Sequence, residues 1–167
     1  MPLDDIPAGA TVFVDSTILH YAFVHFEAAT PQCIRLLQRV GKGELAACLT
    51  LPVLNDAVHK VMCSEAMERF NRPRAGLVGW MGRNPASVRE LVRASDFLNL
   101  IGGLPIRILS ADLEALIGAQ RMVRAHGLLA SDSLIVALMQ SHSITHLATN
   151  DDDFDRVPGI TVWKPRL

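Results

Sequence analysis

Four aspartates spread along this 167-residue chain, Asp15, Asp56, Asp132 and Asp151, are the residues best placed to do chemistry. Asp15 and Asp151 each follow a short β-prone run, and Asp56 and Asp132 sit near the starts of helical patterns, so all four can meet at one edge of a sheet. Carboxylates gathered in one cleft repel, two unit charges about 4 Å apart costing about 4 kcal/mol at an effective dielectric of 20. Such a cluster needs protons or a cation. An all-oxygen donor set without His or Cys favours Mg²⁺ or Mn²⁺, and Mg²⁺ keeps several of its waters. Metals of this kind activate water against a phosphodiester and screen its charge.

Each acid also has a purely structural reading. Asp15 can cap the helix it precedes, and Asp56 has Lys60 four residues on, the spacing of a surface ion pair. Asp132 and Asp112 suit the first turn of any helix, and Asp151, Asp152, Asp153 and Asp155 can form a solvated acidic turn. Other chemistries lack their residues. There is no GxGxxG, GxxxxGK[ST] or GxSxG, and Cys33, Cys48 and Cys63 form no CxxC pair. His142 and His146 straddle a helix end and a strand, which argues against a zinc pair.

The elements that must position these acids follow from periodicity and punctuation. Strands are expected at 11–14, 45–49, 104–109, 145–148 and 160–163. Between them the apolar spacing predicts a helix after Ser16 or Thr17, one from Pro31 through Val40, and one capped by Thr50 with Leu54, Ala57, Val58, Val61 and Met62 as its stripe. Further helices are expected near 86–98, from Ser110 through Ala125, and from Ala130 or Ser131 through Gln140. Strands alternating with helices predict an α/β fold, one domain over 1–167, with a mostly parallel central sheet between two helical layers. Ligands collect beyond the carboxyl ends of such strands.

Composition narrows the partners. The net charge is −1 with His neutral, which excludes a wholesale basic footprint for nucleic acid. The one basic stretch is 69–93, where Arg69, Arg72, Arg74, Arg83, Arg89 and Arg93 face a single acid, Glu90, for a local net of +5. Trp80 within it can stack on a base or anchor a loop. Half the residues are apolar, which points to an interface with a partner. No apolar run is long enough to span a membrane and the first residues lack the pattern of a signal peptide, so a cytoplasmic location is expected.

Four motifs in order then resemble the PIN domain family, including its VapC-type toxins. They are Val12-Phe-Val-Asp15-Ser-Thr, Thr50-Leu-Pro-Val-Leu-Asn-Asp56-Ala-Val-His, Leu128-Leu-Ala-Ser-Asp132-Ser-Leu-Ile-Val-Ala137 and Ala148-Thr-Asn-Asp151-Asp-Asp-Phe154. The last, a TND followed by DF, is the most specific. The resemblance implies a PIN-like three-layer α/β/α fold and an Mg²⁺- or Mn²⁺-dependent endoribonuclease whose site is Asp15, Asp56, Asp132 and Asp151, with Thr149 as a nearby hydroxyl. It further implies a homodimer and an antitoxin partner. Arg72, Arg74 and Arg83 are candidates to hold the RNA backbone, and Asp153 matches a position that holds the loop. One departure stands out: the second motif usually carries Glu, and Asp56 is a methylene shorter, roughly 1.5 Å of lost reach. Two alternatives stay open, a non-catalytic PIN-like RNA-binding scaffold and a phosphatase of the haloacid dehalogenase type. The latter expects a second Asp where Thr17 stands.

Overall fold

The β-prone runs form five strands, β1 (Thr11–Val14), β2 (Ala46–Thr50), β3 (Ile106–Leu109), β4 (His146–Ala148) and β5 (Thr161–Trp163), in a computed structural model that describes residues 1–166. All pair in parallel in the order β3-β2-β1-β4-β5, with Phe13 opposite Cys48 on one side and Leu147 on the other. Central parallel strands are covered on both faces, which is why Val12, Phe13 and Val14 form one continuous apolar run and are wholly buried.

Among the described residues eight α-helices pack on or beside the sheet: α1 (Ser16–Phe23), α2 (Ala29–Gly41), α3 (Leu51–Arg69), α4 (Leu77–Arg83), α5 (Pro85–Arg89), α6 (Arg93–Gly102), α7 (Leu113–His126) and α8 (Ala130–Ser141). Right-handed crossovers dictate the layers. The chain steps one way from β1 through β2 to β3, which assigns α1 to α6 to one face, and its return step from β3 to β4 assigns α7 and α8 to the other. Packing agrees, with α1 against α2 and α3, α3 against α6, and α7 against α8. This is the expected three-layer architecture, its sheet parallel throughout.

Two local expectations need correction. Ser110 does not cap the helix that follows; Asp112 does, accepting from the Ala115 N–H at 2.8 Å, so α7 starts at Leu113. The carboxylate is the stronger cap because it also meets the helix dipole with a charge. The arginine stretch is not a loop leading to one helix over 86–98 but two short helices, with α6 starting only at Arg93. Glu65 on α3 explains that start. Its buried carboxylate accepts from the Val92 and Arg93 N–H groups at 3.1 and 3.0 Å, satisfying donors at the beginning of α6. Beneath α4 and α5 a small satellite core of Ala66, Leu77 and Met81 packs with Phe70 and Trp80.

Candidate active site

Between β1 and β4 the connections leave in opposite directions, and the crevice beyond such a switch point is where open α/β sheets receive ligands. Asp15 stands at its floor. Its N–H continues the ladder to the Ala148 carbonyl at 2.9 Å, and its buried carboxylate caps α1 by accepting from the Thr17 N–H at 3.4 Å. The Thr17 and Thr149 hydroxyls donate to the same oxygen, Oδ2, at 2.8 and 2.9 Å. Capping and pocket lining are thus compatible for this residue. Asp132 occupies the first turn of α8 and Asp56 the second turn of α3. With Asp15 and Asp151 they line one cavity of about 170 Å³, walled on its apolar side by residues including Val53, Leu134 and Ile135.

Hydrogen bonds fix the acids individually. Asp151 takes its place through its N–H, which donates to Thr149 Oγ1 at 3.1 Å, and through Oδ1, which accepts from the Asp153 N–H at 2.8 Å. Asp56 Oδ2 accepts from Ser16 Oγ at 2.6 Å and from Lys60 Nζ at 2.7 Å, and Lys60 also donates to Ser16 Oγ at 2.7 Å. The ion pair at helical spacing is therefore present, and both of its residues line the cavity although Asp56 is half-exposed. Asp153 pairs with Arg156, consistent with a role in holding the loop.

Electrostatics separate the acids. Burial pushes the Asp132 carboxyl up to about 6, and the carboxylates of Asp151, Asp15 and Asp153 push the same way against the weaker opposition of Arg156. Burial also raises Asp56, but hydrogen bonds from Lys60 and Ser16 outweigh it and hold this carboxyl below its ordinary value. One carboxylate oxygen each from Asp132, Asp151 and Asp153 lie within 4.8 Å of one another. Like charges so close, made only of oxygen donors, fit a hard divalent cation. His20 does not line the cavity; burial, then Lys60 and Arg74, depress it to about 4, and its Nε2 meets Ser64 Oγ at 2.9 Å.

Other candidate residues lie elsewhere. Thr149 is wholly buried, its hydroxyl committed to Asp15 and Asp151, so it positions acids and does not reach the cavity surface. Arg72, Arg74 and Arg83 are exposed and none lines the cavity. Arg72 lies 4.9 Å from the Trp80 ring centroid, and Trp80 packs on Phe70, which makes it an anchor of the satellite core. Arg69 and Arg93 are paired with Glu90 and Glu68. Sequence reasoning missed three participants. Ser16 had only its adjacency to Asp15 as a signal, Lys60 only its spacing from Asp56, and Asp153 its position two residues beyond Asp151. The phosphatase alternative meets Thr17, a hydroxyl donor to Asp15, where it requires an acid.

Comparisons with known proteins bear on the family and the fold. A family model, the PIN domain, matches residues 12–160. Ribonuclease VapC6 of Methanocaldococcus jannaschii is 26% identical over 155 residues, covering 93% of this chain and 97% of its own. Among solved structures, Mycobacterium tuberculosis VapC20, described as a sarcin-ricin loop cleaving toxin, shares the fold at a TM-score of 0.57 and 14% identity, covering 86% of this chain and 92% of its own. VapBC2 from Rickettsia felis, solved on a promoter DNA fragment, gives a TM-score of 0.54 at 14% identity, covering 93% and 99%. A toxin-antitoxin complex from Klebsiella pneumoniae gives 0.53 at 14% identity, covering 90% and 95%.

Proposed function

The chain belongs to the PIN domain family, and from that premise we propose that it is a metal-dependent endoribonuclease acting as the toxin of a toxin–antitoxin pair. The observation that carries this reading is the convergence of Asp15, Asp56, Asp132 and Asp151 on one cavity at the sheet's switch point. These four are the proposed catalytic set, and Mg²⁺ or Mn²⁺ is the proposed ion. When bound, such a cation acidifies water and stabilises negative charge developing on phosphate oxygens. The chain's own residues do the rest. Thr17 and Thr149 hold Asp15 in one orientation, Thr149 and the Asp153 N–H do so for Asp151, and the apolar wall excludes bulk water from one side of the reacting phosphate. A proton leaving the attacking water passes to a carboxylate of the cavity, since His20 is not among the lining residues and its Nε2 is turned to Ser64.

The substrate strand would leave the cavity across the arginine-bearing helices, with Arg74 and Arg83 contacting phosphates without reading bases. An antitoxin segment offering Arg to the acidic cavity suits its charge. We also propose a homodimer, on the strength of the outward apolar residues Leu113, Leu116 and Ile117 of α7. Among the described residues no single helix is long and apolar enough to cross a membrane, and a cytoplasmic location is proposed.

Incubating purified protein with RNA tests the activity. Cleavage with Mn²⁺, none with chelator and none by Asp151→Asn is the expected result, and equal cleavage by Asp151→Asn overturns it. One observation favours the non-catalytic scaffold, namely that Asp56 is already neutralised by Lys60. A wild-type chain with no saturable Mn²⁺ site would decide for that alternative.

A further inference from the structure

Lys60 is the one cation lining the acidic cavity among the described residues. Its ammonium is held at 2.7 Å from Asp56 Oδ2 and at 2.7 Å from Ser16 Oγ, and Ser16 in turn donates to the same Asp56 oxygen at 2.6 Å. The three groups close a triangle that ties the ammonium to Asp56, whereas the acids whose oxygens gather within 4.8 Å of one another are Asp132, Asp151 and Asp153. We infer that Lys60 is a built-in cation standing where a second divalent ion would otherwise sit, so that this site holds a single Mg²⁺ or Mn²⁺. The inference rests on the metal-dependent reading above and deepens it.

Three observations carry it. First, a dication bound at Asp56 has either to displace the ammonium or to sit within a few ångströms of it, where like charges repel. Second, Asp56 is the acid that departs from the family's usual Glu, and the shorter side chain reaches the Ser16 and Lys60 partners of its own rim. Third, the acid that a second ion would need is already paired. Lys60 offsets Asp56 and Arg156 offsets Asp153, which leaves Asp15, Asp132 and Asp151 as the uncompensated acids for a first dication, and a second would have to draw on Asp56, whose charge the ammonium already meets.

The test is the stoichiometry of Mn²⁺ binding, read by calorimetry and by electron paramagnetic resonance on the full chain without RNA. Wild type and Lys60→Arg are expected to bind a single Mn²⁺. Lys60→Met, which keeps length and removes charge, is expected to gain a second, weaker site, and adding Asp56→Asn to Lys60→Met is expected to abolish that second site. Asp151→Asn should weaken that first site by at least about tenfold. Two Mn²⁺ in the wild type, or an unchanged titration in Lys60→Met, overturns the inference. Because the readout uses no RNA, it separates from the parent reading: two ions with RNA cleavage intact sinks only the role of Lys60, whereas no ion at all sinks both.

Discussion

At the scale of single residues, the acidic cluster stores repulsion that a cation would relieve, and Asp132 shows it most directly. Its folded-state pKa of about 6 lies above the ordinary value of 3.8, so the folded protein holds this proton more strongly than the unfolded chain does. The resulting stabilisation is complete below about pH 4 and is lost as pH rises through about 6. Metal-free wild type should therefore lose stability relative to Asp132→Asn across that window, by about 1 kcal/mol once solvent screening of a half-exposed group is allowed for. Urea denaturation of the two proteins at pH 4 and pH 7 measures this, and Mn²⁺ at pH 7 should close the gap. Parallel curves at both pH values would remove the repulsion. The four aspartates and the TND motif were legible in the sequence because strand ends and helix starts announce themselves. What those acids bond to was not: Asp15 meets Thr149 across 134 positions of chain, a distance no local pattern encodes.

Among the elements, α3 is both a wall of the cavity and the support of the arginine-bearing helices, and Glu65 is the link. Glu65→Ala strands the two N–H groups at the start of α6 in a buried setting, which should cost about 2–3 kcal/mol. Chemical denaturation checks that figure, and a change below about 0.5 kcal/mol would mean water replaces the carboxylate. Asp112→Ala removes an exposed cap from α7 and should cost about 1 kcal/mol while leaving RNA cleavage unchanged, since that cap lies outside the acidic cavity. Arg74→Ala and Arg83→Ala should weaken RNA binding to all sequences alike and flatten its salt dependence by about one unit of slope each; sequence-selective loss would contradict a backbone role. Why the sequence misled at 69–93 is visible here. Gly76, Gly79, Gly82 and Pro85 punctuate the stretch like a loop, yet the long-range contacts of Leu77 and Met81 with Ala66 hold short helices that propensity alone would not sustain.

For the whole molecule, the apolar half of the composition is accounted for by a central core and by residues left outside it. Leu113, Leu116 and Ile117 are 70%, 45% and 59% exposed on neighbouring turns of α7, so Leu116→Glu combined with Ile117→Glu should convert the proposed dimer to monomers in sedimentation without unfolding the chain. A mass unaffected by that pair of changes would place the interface elsewhere. The strand order has a different consequence. β1 lies at the centre of the sheet, but the strand that completes its second edge begins only at His146. During synthesis that edge stays open, a template for mispairing, until the chain has emerged past His146. The same delay is protective. Asp132 comes with α8 and Asp151 only after β4, so no nascent fragment that ends before Asp151 carries a complete set of acids, and the proposed toxicity is withheld from the ribosome that is making it.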